Sequence, residues 1–307
     1  MLTFSGQRMI EAGMTLKVLA IVNPVSGRRP ARPLIEEVGR ILAARGADLH
    51  IECTNHQGHA TQLAQSAHRE FGAILVGGGD GTVSEVINGL CGTTLPLVIL
   101  GTGTENLLAR ELSMPTTAVA AADALLHGRS LHLDVGIVNG RRFLVVVGVG
   151  FDAEVVKRLT EMRRGNITHF TYVSPIWRTF WNHRFPTLRI EADGERVFEG
   201  RGMAYVGVTG RYARGLRILT DARPDDGLLD LCVMPCATRR RLVSLACSVV
   251  LQRHRRRADV IYRQVRAIDI SSPDEDTPVE IDGDCGGTLP VECRIEPRSA
   301  VLLQPAT

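Results

Sequence analysis

Residues 75–90 read LVGGGDGTVSEVINGL: an apolar run enters three glycines, then Asp80, Gly81 and Thr82, then a segment of helical pattern. Glycine has no side chain to hold a ligand away from the backbone. The start of a helix offers N–H groups that no internal carbonyl satisfies, which suits a phosphate. Asp80 cannot itself favour an anion. Its carboxylate must accept hydrogen bonds from backbone, a ribose or metal-bound water. Two other turns carry compatible groups. Asn23, Pro24, Val25, Ser26 and Gly27 supply an amide and a hydroxyl on proline-restricted backbone, and Gly103, Thr104, Glu105 and Asn106 supply another pair just before a helix. Either turn alone is a routine loop. Three at one sheet edge suit a nucleoside triphosphate.

The elements that must position these turns follow from the hydrophobic pattern. Strands are expected over 16–22, 48–54, 73–76 and 95–100, and helices over 33–45, 58–70, 83–90, 107–112 and 116–126. Alternating strands and helices predict an α/β N-terminal domain with an open, mostly parallel sheet, whose ligands bind at the C-terminal ends of the strands. All three turns fall at such ends. After about residue 130 the texture changes to short strand-like runs: 131–138, 142–149, 186–193, 196–198, 202–209, 228–234, 265–271, 279–282, 289–295 and 300–303. Asn139-Gly140 and Asp193-Gly194 are hairpin signals among them. Helical pieces over 153–161 and 238–254 interrupt the series. This half is expected to be a C-terminal antiparallel β-sandwich. The resulting division is a tail over 1–14, a nucleotide-binding domain over 15–130 and a sandwich domain over 131–307, with the end of the chain free to return to the first domain.

The chain has 307 residues and 44% hydrophobic content, enough for two cores, and no staple is needed. Net charge is +3, which argues against a nucleic-acid partner. Lys17 and Lys157 are the only lysines. The arginines concentrate at 239–257, RRRLVSLACSVVLQRHRRR, where ten mostly apolar residues lie between basic clusters. That segment reads first as a core helix with solvated ends, and second as a helix lying on a membrane surface. Trp177, Phe180 and Trp181 stand at near-helical spacing and read as core ahead of lipid contact. The seven cysteines form no CxxC pair and no zinc spacing, as expected of free thiols in a cytoplasm. Residues 1–13 lack the pattern of a secretory leader, and no apolar run is long enough to span a bilayer.

In their order, NPVSG, GGGDGTVSEVINGL and GTENLLAREL resemble the catalytic domain of the diacylglycerol kinase and sphingosine kinase family of lipid kinases. VGVGFDAE at 147–154 and ARPDDGLLD at 222–230 extend the resemblance into the second half. It implies an ATP- and Mg²⁺-dependent enzyme that phosphorylates a lipid alcohol such as diacylglycerol at a membrane surface, cytoplasmic or peripheral at the inner face; a homodimer is compatible with it. The nucleotide would be held by Asn23, Pro24, Val25, Ser26, Gly27, Thr54, Gly78, Gly79, Asp80, Gly81, Thr82, Val83, Ser84 and Thr104. Asp80 would also help to hold the catalytic metal indirectly. A structural Mg²⁺ would be held by the Arg223 and Leu228 carbonyls and the Asp226 carboxylate, an oxygen-only set suited to a hard cation. Ile281-Asp282-Gly283-Asp284 resembles the motif whose final glutamate is the general base. Here that position is Asp284, one methylene shorter, and outside the resemblance Asp284 reads as an ordinary hairpin residue. Gly101 also stands where the family usually has proline, and the glycine-rich stretch before ARPDDG is reduced to residues 212–215. GGDGT is shared with NAD kinases, so an NAD kinase-like enzyme is one alternative. A nucleotide- or lipid-binding protein with a weakened base is another.

Overall fold

A computed structural model describes residues 15–27, 31–162, 173–212, 215–274 and 276–305. The expected tail lies outside these residues. The chain forms two compact units, Met1–Leu133 with Arg298–Thr307, and Asp134–Pro297.

The first unit contains β1 (Leu16–Val22), α1 (Ala31–Ala43), β2 (Ala47–Cys53), α2 (His59–Ala67), β3 (Ala73–Gly78), α3 (Asp80–Gly89), β4 (Leu97–Gly101), α4 (Leu107–Glu111) and α5 (Ala118–His127). β1 pairs in parallel with β2 and β3, and β3 with β4. The end of the last strand joins β4 in parallel through Leu302 and Leu97. β3 is buried at every position and β1 at all but one, so they read as continuous apolar runs. β2, at the edge, is only partly covered. α1 buries Ile35, Val38 and Leu42, one stripe of its surface. α3 begins at Asp80, three residues earlier than the apolar pattern suggests. Gly79 is its extended N-cap, and Asp80 occupies the first turn, where negative charge is favoured.

The chain enters the second unit within β5 (Arg129–Val138) and leaves it within β17 (Val291–Gln304). Between them come β6 (Arg141–Phe143), β7 (Val146–Val149), α6 (Phe151–Glu161), α7 (Val173–Asn182), β8 (Thr187–Ala192), β9 (Glu195–Gly207), β10 (Arg211–Tyr212), β11 (Leu216–Arg217), β12 (Leu229–Pro235), α8 (Arg239–Val250), β13 (Ile261–Val265), β14 (Ala267–Ser271), β15 (Pro278–Ile281) and β16 (Asp284–Thr288). These strands make an antiparallel β-sandwich. The first part of β9 pairs with β8, which continues to β14 and β17. Its second part pairs with β7 and β12, flanked by β15 and β13. The sheets enclose Val147, Val149, Leu188, Ile190, Val206 and Leu231 with their neighbours.

Several boundaries differ from the sequence expectation. The run over 142–149 is two strands, because Leu144 and Val145 turn their N–H groups towards Asp282. The runs over 196–198 and 202–209 are one strand, β9, which continues through Gly200 and Gly202. The run over 265–271 divides into β13 and β14, and 289–295 joins 300–303 in β17. The helix over 238–254 stops at Val250, because Gln252 takes a positive φ, and a short 3₁₀ turn follows. α7 is a further helix. Its Pro175 sits in the first turn, where a missing N–H is tolerated. Trp177 and Trp181 on α7 are not core: they are 63% and 51% exposed.

Candidate functional site

The glycine turns of the first unit meet backbone to backbone. Asn23 N–H donates to the Gly77 carbonyl at 2.9 Å, Thr54 N–H to Val22 at 2.8 Å and Thr102 N–H to Gly78 at 3.0 Å. These bonds tie the ends of β1, β2, β3 and β4 together. The Asn23 side chain then spans two turns. Its Oδ1 accepts from Val25 N–H, and its Nδ2 donates to Thr82 Oγ1 at 3.1 Å. Gly27 has φ +74°, and a Cβ on it would stand 1.7 Å from the Thr102 carbonyl oxygen. A Cβ on Gly103 would stand 2.5 Å from the Gly79 Cα. Only glycine permits such approaches.

Asp80 accepts from Leu108 N–H at 3.3 Å, so a residue of α3 caps α4. Burial pushes its carboxyl above the ordinary value, and backbone donors around Leu107 and Leu108 oppose the shift. Asn106 holds the Thr104 turn, accepting from Gly103 N–H at 2.9 Å and donating to the Gly103 carbonyl at 3.0 Å. Gly101, the departure from proline, leaves room for this side chain: a Cβ there would approach Asn106 Cγ to 2.9 Å. Gly81 and Thr104 are exposed, and Thr54 is half-buried. Val83 and Ser84 are buried, and Val83 N–H already bonds the Gly79 carbonyl. The turns over 23–27, 78–82 and 102–106 therefore form one anion-suited edge, with Val83 adding neither an exposed side chain nor a free N–H.

The second unit carries a buried acidic centre. Asp282 and Gly283 both have positive φ, the geometry of a type I′ turn joining β15 to β16. The Asp282 carboxylate accepts from the N–H groups of Leu144, Val145 and Val146 at 2.9–3.0 Å. Burial pushes it up to about 6 against the pull of those donors. Asp284 follows as the first residue of β16, half-buried and in register with Ile281. Glu280 is fully buried, and its Oε2 accepts from Gly283 N–H at 2.8 Å. Asp152, at the start of α6, accepts from the Tyr212 hydroxyl at 2.8 Å. Burial raises both carboxyls, and for Glu280 the nearby Asp152 charge adds to it. Sequence reasoning missed this pair. The available signal was an acid, Glu280, flanked by Val279 and Ile281 in a strand.

The turn over 222–230 is organised by a residue the sequence reading passed over. Asp134 N–H donates to the Pro224 carbonyl at 2.7 Å, and Asp134 Oδ2 accepts from Gly227 N–H at 2.6 Å. Asp226 accepts from Leu228 N–H at 3.0 Å. Its carboxyl is raised by burial and by the Asp134 and Asp225 charges, and Asp230 is pushed up to about 6 by burial with Asp226 and Asp221 nearby. The Asp134 and Asp225 charges repel that of Asp226, a repulsion that a hard cation would relieve. No group of three metal-ligating side chains occurs among the described residues, so a cation here would lean on the Arg223 and Leu228 carbonyls as well as Asp226. All seven cysteines are free; burial pushes the Cys232 and Cys293 thiols up to about 12.

Beside the sandwich, an open cavity of about 1290 Å³ is lined by charge of both signs, including Glu154, Lys157, Arg158 and Arg201. Glu154 accepts from Arg158 and pairs with His183 Nδ1, each at 2.7 Å.

Comparison with known proteins agrees with this division of parts. Residues 17–138 match the family described as diacylglycerol kinase catalytic domain, and residues 145–304 the YegS C-terminal NAD kinase beta sandwich-like domain. The diacylglycerol kinase of Staphylococcus carnosus (strain TM300) is 29% identical over 281 residues, 90% of this chain and 91% of the relative. That of Staphylococcus aureus (strain bovine RF122 / ET3-1) is 28% identical over 281 residues, 90% and 89% of the two chains. A solved structure from Bacillus anthracis str. Sterne, named for a candidate diacylglycerol kinase, superposes with a TM-score of 0.76 at 27% identity, covering 94% of this chain and 97% of that one.

Proposed function

Because this chain belongs to the diacylglycerol kinase family of lipid kinases, we propose that it transfers the γ-phosphoryl group of ATP to the hydroxyl of a diacylglycerol-class lipid. The observation that carries the nucleotide half is the close meeting of the Gly27, Gly79 and Gly103 turns at the start of α3. Phosphoryl transfer is mostly positioning and charge stabilisation. Asn23–Gly27, Gly78–Thr82 and Thr104 cradle the phosphates with main-chain N–H groups and short hydroxyls, and Thr54 closes the edge at β2. A Mg²⁺ would supply charge neutralisation at the phosphates, and Asp80 is the residue that would help to hold it. Arg223 and Leu228, through their carbonyls, and Asp226, through its carboxylate, would hold a second, structural Mg²⁺, which would offset the repulsion between Asp226 and its acidic neighbours.

Asp284 is the base in this reading. It accepts the lipid hydroxyl proton as the oxygen attacks the γ-phosphorus and the bond to the β-phosphate oxygen breaks. The type I′ turn, held by Asp282 on three N–H groups and by Glu280 on Gly283, orients the start of β16. The shorter side chain moves the carboxylate back by about 1.5 Å, one C–C bond.

The test is incubation with labelled ATP, Mg²⁺ and mixed micelles of diacylglycerol. Label in phosphatidic acid supports the reading. Label in NAD and none in lipid would place the enzyme with the NAD kinases.

A further inference from the structure

We infer that Glu85 is a positioning residue for the nucleotide: it ties α3, the helix that begins at the phosphate turn, to the turn between β2 and α2, and so sets how firmly that turn, with Thr54, is held for ATP. The inference rests on the nucleotide-binding reading of the first unit. Glu85 lies in the second turn of α3, directly after Ser84, and is half-buried. Its carboxylate reaches across to the neighbouring helix. Oε1 accepts from Gly58 N–H at 2.9 Å, and Oε2 accepts from Ala60 N–H at 3.1 Å. Both oxygens are thus engaged by backbone, so Glu85 acts through the turn it holds rather than on a ligand.

The turn needs such an outside partner. A helix start leaves N–H groups that its own carbonyls cannot reach. A serine, threonine or aspartate at the cap usually accepts from one of them. α2 has Gly58 there instead, with φ +85° and no side chain to serve. Glu85 supplies the acceptor from 27 positions away, and its charge meets the favourable end of the helix dipole. Thr61 returns the contact, its Oγ1 donating to the Glu85 carbonyl at 2.9 Å. One turn further on, a Cβ on Gly89 would stand 2.4 Å from the Thr61 carbonyl oxygen and 2.7 Å from Ala64 Cβ. That close approach fixes the bodies of the two helices, and Glu85 fixes the first turn of α2, where glycine leaves the backbone freest. The other end of the turn is held at Thr54, whose N–H donates to the Val22 carbonyl. Between these anchors Asn55, His56 and Gln57 are exposed, with local contacts: Asn55 N–H donates to His59 Nδ1 at 3.3 Å, and the His56 and His59 rings stack at 5.0 Å. A turn without its second anchor must be ordered by the ligand, and that ordering lowers affinity.

Titration of the full chain with a non-hydrolysable ATP analogue and Mg²⁺ tests this without turnover. Glu85→Ala should raise the Kd about tenfold, because Gly58 and Ala60 lose their acceptor and the ligand must order the turn. Glu85→Gln has the same shape and keeps one acceptor oxygen, so its Kd should fall between. In turnover the KM for ATP should rise in step. kcat at saturating ATP and the KM for diacylglycerol should stay near wild type, the pattern of lost uniform binding. In the wild type the analogue should slow hydrogen exchange at the Gly58 and Ala60 amides, a measurement that needs no variant. A lower Tm with an unchanged Kd would reduce Glu85 to a structural cap on α2. A fall in kcat with KM unchanged, or wild-type exchange at those amides that ignores the analogue, would also overturn the proposal. Wild type that binds no analogue sinks the nucleotide reading and the proposal together; wild-type binding with equal Kd in both variants sinks the role of Glu85 alone.

Discussion

Asp152 and Glu280 press on the same glycine: a Cβ on Gly148 would stand 2.4 Å from Asp152 Oδ2 and 2.8 Å from Glu280 Oε1. Burial and their mutual repulsion disfavour two charges here and raise both carboxyls, Glu280 the further. Glu280 also holds Gly283, the residue before Asp284. The protonation of a buried pair is thereby tied to the hairpin that presents the proposed base.

Stability should fall with rising pH because of this pair. Burial, then the Asp152 charge, keeps the Glu280 carboxyl well above its ordinary 4.5. The folded chain thus retains a proton that the unfolded chain releases. The stabilisation is complete below the ordinary value and fades as pH climbs towards the raised one. Glu280→Gln keeps an acceptor for Gly283 N–H and removes the titrating group. Its Tm should decline less than wild type as pH rises above the ordinary 4.5. Parallel Tm curves would show that Glu280 does not carry the proton.

Asp282→Ala should be among the most destabilising single changes in the second unit. It leaves the N–H groups of Leu144, Val145 and Val146 without their acceptor. Urea unfolding should show a loss of about 3 kcal/mol or more. Asp282→Asn, which keeps one acceptor oxygen, should fall between.

Asp80 has two separable roles. Asp80→Asn keeps an oxygen for Leu108 N–H, so stability should stay within about 0.5 kcal/mol of wild type. Asp80→Ala removes the cap and should lose about 1 kcal/mol. Phosphoryl transfer should drop roughly 100-fold in both, because both remove the charge. Full activity in Asp80→Asn would leave Asp80 a cap and nothing more.

Asp284→Asn should lower kcat by about 100-fold or more while leaving the KM for ATP near wild type, the pattern of a lost general base. Asp284→Glu restores the missing methylene and should raise kcat. An active Asp284→Asn protein would move the base elsewhere.

Gly27→Ala should weaken ATP binding without unfolding the second unit. The added methyl would stand 1.7 Å from the Thr102 carbonyl, at a φ of +74° that alanine resists. Nucleotide titration should show at least a tenfold rise in Kd, an outcome that wild-type affinity would contradict.

The sequence by itself determined the parallel sheet, the glycine turns and the hairpin turns. Each of these is local: a buried strand must be an apolar run, a close backbone approach requires glycine, and paired positive φ values favour Asn-Gly or Asp-Gly. The family followed from the same segments. Tertiary structure alone decided the roles of residues whose partners are remote in the chain. Asp282 finds its donors from 138 positions away at Leu144, and Asp134 finds Gly227 from 93 positions away. Nothing near either residue in sequence announces that contact. The same is true of the outer faces of α7 and α8. Helical spacing shows which side chains share a face, but which face the sandwich covers depends on packing, and here it left Trp177 and Trp181 on the outside.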